Sequence, residues 1–181
     1  VEQFKLKDGT KFLLDKYPLN IIHLDFIQKL FPESTIIVSV RHPYDVVLSC
    51  FKQNFGRNTA MDACTSLERS IILYDAVLSR YKKIKQHFGC TFLEIKYEDL
   101  VASQEKELVK IMSKIKLRLS EEVFNYRETI KDRVINTPSA SQVSQPIYKT
   151  SDGLWKYYES QLRSAGIDRL RGWVEYFGYI S

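Results

Sequence analysis

Arg41 follows a β-branched run over residues 35–40, opens the stretch Arg41-His42-Pro43-Tyr44-Asp45, and stands eight residues before Ser49. A guanidinium at a strand end, beside the amino terminus of a helix, joins a fixed charge to a helix dipole and outward-pointing amides, which makes an anion site. Ser49 lies about two turns along that helix and adds a hydroxyl only to an anion that reaches along the helix side. The competing arrangement is an ion pair between Arg41 and Asp45 across the first turn, which would give the cation a structural role. Lys16 and Tyr97 also close apolar runs of strand length, and open parallel sheets bind ligands beyond the carboxyl ends of their strands. For Lys16 the alternative is a solvated lysine at a strand end.

The elements that must position these residues follow from periodicity. Residues 11–16 are a short apolar run closed by Tyr17-Pro18, which predicts a strand ending in a turn. From Asn20 to Phe31, Ile21, Leu24, Ile27, Leu30 and Phe31 recur at helical intervals, with Asn20 as cap and Pro32 as stop. Residues 35–40 read as a strand buried on both faces of a parallel sheet. Pro43 suits the first position of the next helix, which carries Val46, Val47, Cys50 and Phe51. A long helix is predicted over 61–87, a third strand over 91–97 and a helix over 103–116, an alternation that specifies a parallel α/β sheet. A short helix over 120–127 and a long polar loop over 136–151 come next, and loops of that length are often lids or binding segments. Two helices, 153–162 and 167–177, close the chain.

A chain of 181 residues, 44% hydrophobic, supports one substantial core, so residues 1–181 are read as a single domain. The formal charge of +5 favours an anionic partner, but the lysines are spread along the chain, so nucleic acid is not expected. Cys50, Cys64 and Cys90 have no close-pair spacing, and an odd count leaves one unpaired, so neither a metal site nor a disulfide scaffold is expected. Cys50 and Cys64 read as small buried hydrophobes. No run approaches the roughly twenty apolar residues of a membrane span. The chain begins without methionine and almost directly on a strand pattern, which points to lost upstream sequence.

The stretch from Arg41 through Pro43 to Ser49 resembles the 3′-phosphate-binding motif of sulfotransferases that use 3′-phosphoadenosine-5′-phosphosulfate (PAPS). Phe31-Pro32 and Phe55 around it resemble the bacterial branch often fused to tetratricopeptide repeats, and also the tyrosylprotein sulfotransferases. Ile95-Lys96-Tyr97-Glu98-Asp99-Leu100 resembles the family's third-strand motif. Ser139, Gln142, Val143, Pro146 and Tyr148, followed by Trp155 and Tyr158-Glu159, resemble its closing loop. The resemblance implies a three-layer, P-loop-NTPase-like α/β fold and transfer of a sulfuryl group from PAPS to a hydroxyl acceptor. It implies that Arg41 and Ser49 bind the 3′-phosphate, that Ser139 lies near the same nucleotide and Tyr97 against the adenine, and that Lys16 is the catalytic lysine. No metal is implied.

Several departures accompany the resemblance. The basic residue that precedes the closing tryptophan in the tyrosylprotein branch is Leu154 here, with Lys156 displaced by two as a substitute nucleotide ligand, and a further arginine of that branch corresponds to Gln53. The chain therefore sits nearer the bacterial branch. The Gly-rich loop that holds the 5′-phosphosulfate has no counterpart before Lys11, so the chain reads as the carboxy-terminal portion of the enzyme, incomplete at its amino terminus. The nearest histidine, His23, falls inside an amphipathic helix and is not nominated as the base. The acceptor stays open among carbohydrate, peptide and small-molecule hydroxyls, and a fused tetratricopeptide region upstream is an expected partner. The branch implies bacterial cytoplasm, with the Golgi lumen as the setting of a eukaryotic member. A truncated or degenerate non-catalytic nucleotide-binding module is the rival reading. A P-loop kinase is disfavoured because no Gly-x-x-x-x-Gly-Lys-Ser/Thr occurs.

Overall fold

A computed structural model describes residues 9, 12–53, 55, 61–88, 92–125 and 152–179. Two parallel strands, β1 (Ile37–Val40) and β2 (Leu93–Lys96), pair in register from Ile37 with Leu93 to Val40 with Lys96. Between them the chain forms α2 (Pro43–Lys52) and the long α3 (Leu67–Phe88), after a first helix α1 (Leu24–Leu30). Beyond β2 come α4 (Tyr97–Ala102) and α5 (Gln104–Lys114), and then, in the carboxy-terminal segment, α6 (Glu159–Ser164) and α7 (Arg171–Tyr176). The protein is therefore a mixed α/β fold with a small parallel sheet. A parallel pair needs a crossover, and α2 with α3 supplies it.

One apolar cluster joins both ends of the described chain. Val38 and Val40 of β1 meet Val47 of α2 and Ile71, Leu78, Tyr81 and Ile84 of α3, and the same cluster takes in Leu162, Ile167, Leu170, Trp173 and Phe177. The buried Tyr81 donates its hydroxyl to Glu94 Oε1 at 2.6 Å, and Lys85 reaches the same oxygen at 2.6 Å, so α3 is pinned to β2 by one carboxylate. Leu170 is completely buried. Leu170→Ala should therefore cost about 2–5 kcal/mol in urea unfolding. A loss below about 1 kcal/mol would mean that the closing helices do not complete the core.

Several expectations change in detail. The strand expected over 11–16 is not formed across its described part: residues 12–17 have no regular structure, and Phe12, Leu13 and Leu14 are exposed. Strand propensity reflects fit to a neighbouring pleated surface, and in β1 and β2 each residue has such a neighbour. Asn20 does not cap a helix; a 3-10 turn starts at Pro18, and the Asn20 side-chain Nδ2 donates to Asp15 Oδ2 at 2.7 Å. β1 is buried on one face rather than two, with Val38 and Val40 inward and Ile37 and Ser39 outward. The two closing helices each begin as a 3-10 turn, Leu154–Tyr158 and Ile167–Leu170, entered through Gly153 at φ +70° and Gly166 at φ +83°. Only glycine takes that left-handed region at low cost. The loop over 136–151, with Ser139, lies outside the described residues, as does Cys90.

Candidate functional site

The parallel register sets the site. Because Val40 pairs with Lys96, the next residues, Arg41 and Tyr97, emerge side by side at the carboxyl ends of the two strands. The Arg41 guanidinium carbon lies 5.0 Å from the centroid of the Tyr97 ring, over its face, and the arginine side chain is 20% exposed. That geometry gives a cation a firm seat while leaving it within reach of solvent.

The head of α2 is organised around His42, whose importance the sequence did not signal. Its Nδ1 accepts the Tyr44 amide at 3.3 Å as the cap of the helix, and its own amide donates to Glu98 Oε1 at 2.9 Å. The other Glu98 oxygen accepts the Tyr179 hydroxyl at 2.7 Å, which fastens the end of the chain to α4. The His42 ring stacks on Trp155 at 5.1 Å and 13°, with Tyr44 and Tyr179 edge-on. Consequently the helix amides contribute less to an anion site than the sequence suggested. Pro43 has no N–H, and the Tyr44 amide already belongs to His42.

Asp45 resolves the competition for Arg41. Its side chain is fully buried, its two oxygens accept the amides of Gly153 at 2.8 Å and Trp155 at 2.9 Å, and Arg41 approaches no closer than 4.0 Å. The carboxylate therefore serves the closing segment first and the guanidinium second. Ser49 is exposed on α2, Lys156 is exposed on the 3-10 turn beside Gly153, and Lys16 is exposed in the irregular segment before Pro18. Thus the structure joins Arg41 to Tyr97 directly, while Ser49, Lys156 and Lys16 present themselves to solvent. Cys50 and Cys64 pack as hydrogen-bonded thiols, and burial pushes Cys50 up to about 12, so neither supplies a nucleophile near neutral pH.

Burial also lowers the His42 pKa, against the raising influence of Asp45, Glu98 and Asp152 and with a small lowering contribution from Lys156. A histidine held neutral in the fold binds fewer protons than the unfolded chain does below about pH 6.5, so stability is lost as pH falls through that value toward the lowered native pKa. The urea midpoint should drop between about pH 7 and pH 5, and His42→Asn, which keeps a capping acceptor, should flatten that part of the profile. An unchanged profile in the variant would assign the acid sensitivity elsewhere.

These features define a class first: an α/β protein with a cationic, aromatic-lined site where parallel strands end. The sulfotransferase family's sequence profile matches residues 1–121, and the chain belongs to that family. The chain is also 26% identical over 162 residues to an uncharacterized protein of Aquifex aeolicus, an alignment covering 87% of this chain. It spans only 21% of that relative's length. Among the described residues no helix is long and apolar enough to cross a membrane.

Proposed function

We propose that this chain carries the 3′-phosphate and adenine side of a PAPS-dependent sulfotransferase, in a P-loop-like three-layer domain of the bacterial branch. The observation that carries the reading is the pairing of Arg41 with Tyr97 at adjacent strand ends. A phosphate monoester calls for a bidentate cation, and an adenine calls for an aromatic face; this donor set fits both. Ser49 would add a hydroxyl from α2, with Ser139 and Lys156 contributing from the closing part of the chain.

When bound, PAPS supplies an activated sulfuryl group whose sulfur–oxygen bond to the 5′-phosphate is the bond that breaks. The acceptor hydroxyl would form the new sulfur–oxygen bond and pass its proton to solvent water, while the electron pair of the broken bond would stay on the phosphate. Lys16 would neutralise the charge that develops there, and positioned cations provide much of the rate in loose in-line transfers of this kind. Arg41 and Tyr97 would hold the nucleotide's far end and spend binding energy on alignment.

Calorimetry with 3′-phosphoadenosine-5′-phosphate and with adenosine-5′-diphosphate tests the nucleotide assignment. The first should bind at least about tenfold more tightly; equal affinities would remove the 3′-phosphate site. Transfer of radiolabelled sulfate to a panel of sugars, peptides and small alcohols, run on this chain and on a form extended at its amino terminus, tests the reaction. Activity in neither would leave a binding module.

A further inference from the structure

Glu98 has no role in the proposed site, yet it ties the two strand ends together one step beyond the Arg41–Tyr97 pair. The backbone ladder ends where Val40 meets Lys96. Arg41 and Tyr97 come next, and after them His42 and Glu98, so the register carries the last two toward each other. There the His42 amide donates to Glu98 Oε1 at 2.9 Å, across 56 residues of sequence. A side chain thus makes the next cross-strand bond after the ladder has stopped. His42 is also the cap of α2, and in a capping box the acid at the third helical position accepts the amide of the cap. That position is Asp45 here, and its oxygens go to Gly153 and Trp155 instead. Glu98 takes over the cap amide from another element, while the Tyr179 hydroxyl holds its second oxygen at 2.7 Å.

Resting on the reading of Arg41 and Tyr97 as the nucleotide site, we propose that Glu98 is a positioning residue that sets the spacing of that pair. Arg41 is one peptide bond from the amide that Glu98 holds, and Tyr97 is one peptide bond from Glu98 itself. The hydrogen bond therefore closes a short ring through both residues, and it limits how far the guanidinium, now 5.0 Å from the ring centroid, can move off the Tyr97 face. A phosphate gripped by two parallel donors and a base laid on a ring need such spacing kept within about 0.5 Å. A carboxylate acting only as a local charge has the opposite signature, because its removal would strengthen binding of an anion nearby. Positioning depends on reach and not on charge. Glu98→Gln drops the charge and keeps an acceptor at the same length, whereas Glu98→Asp keeps the charge and falls one methylene short.

Proton NMR and calorimetry separate these roles. In the protein without ligand, the Arg41 side-chain protons nearest the Tyr97 ring should be shifted upfield, and Tyr97→Leu should remove that shift. Glu98→Gln should keep the shift, while Glu98→Asp and Glu98→Ala should lose most of it. The preference for 3′-phosphoadenosine-5′-phosphate over adenosine-5′-diphosphate should fall about tenfold in the aspartate and alanine variants and stay within about twofold in Glu98→Gln. Tyr179→Phe removes the other bond to the same carboxylate, so it should lower the melting temperature and leave the preference within about twofold. Should the alanine variant fail to fold, Glu98→Asp carries the test. A native protein without the upfield shift overturns the proposal, as does a shift that persists in Glu98→Asp. So does a set of variants that changes only the melting temperature, or a glutamine variant that behaves like the alanine one. If the shift follows Glu98 as expected but neither Glu98→Asp nor Arg41→Ala alters the nucleotide preference, the nucleotide assignment has failed and the positioning role stands.

Discussion

Replacing Arg41 with alanine is expected to weaken 3′-phosphoadenosine-5′-phosphate by roughly a hundredfold while leaving adenosine-5′-diphosphate within about twofold. Two charge-assisted hydrogen bonds to one phosphate are removed together, and each is worth about 1.5–3 kcal/mol where water is partly excluded. The Arg41 side chain, 20% exposed and seated on Tyr97, meets that condition. Arg41→Lys keeps the charge but loses the fork and the flat face that packs on the ring, so it should recover only about half of the lost free energy. Calorimetry on the three proteins reads the result. Equal losses for both nucleotides would mean that Arg41 supports the fold or binds a part common to both, and no loss would return it to a structural partner of Asp45.

What could be read in the sequence was whatever depends on neighbours along the chain. The β-branched run before Arg41, the proline opening α2 and the apolar spacing along α3 all act within a few residues, and each produced the expected element. The adjacency of Arg41 and Tyr97 was half legible: both could be seen to end strands, but only the register of β1 against β2 makes them touch. The strand expected to end at Lys16 failed for a related reason, since an apolar run of that length carries no instruction about its partner. His42, Glu98 and Tyr179 were hidden because their link spans 81 residues between Tyr179 and Glu98 and leaves no spacing pattern. Asp45 was seen only as a rival for Arg41. That one carboxylate accepts two amides from the closing segment is a property of tertiary packing, and the left-handed turn at Gly153, where the sequence reading began a helix, emerged only with it.

The same separation between local and tertiary information explains why the two ends of the site differ in character. Arg41 is fixed by β1, by the Tyr97 ring and by the neighbouring Asp45, so its charge is preorganised before any ligand arrives. Lys16 has no comparable seat, being exposed in a segment without regular structure. Ordering such a side chain costs on the order of 2 kcal/mol of rotamer entropy. A lysine that must be ordered gains little from a ground state in which the bridging oxygen carries little charge. It gains most when that oxygen takes up the electron pair of the breaking bond.

Lys16→Ala should therefore lower the single-turnover rate of sulfuryl transfer by roughly 10²–10³-fold at saturating PAPS in a form of the protein that carries the activity, yet leave the affinity for 3′-phosphoadenosine-5′-phosphate within about twofold. The contrast with Arg41→Ala is the informative part, since one variant should act on binding and the other on the chemical step. Lys16→Arg keeps a cation but spreads its charge and changes its reach, so an intermediate rate is expected. Rapid-quench measurement with radiolabelled donor reads the rate, and calorimetry reads the affinity. A rate unchanged in Lys16→Ala would make Lys16 a solvated surface residue and shift charge neutralisation to another cation. A loss of affinity as large as the loss of rate would instead make it a ground-state ligand, because an interaction equally strong before and during the reaction cannot accelerate it.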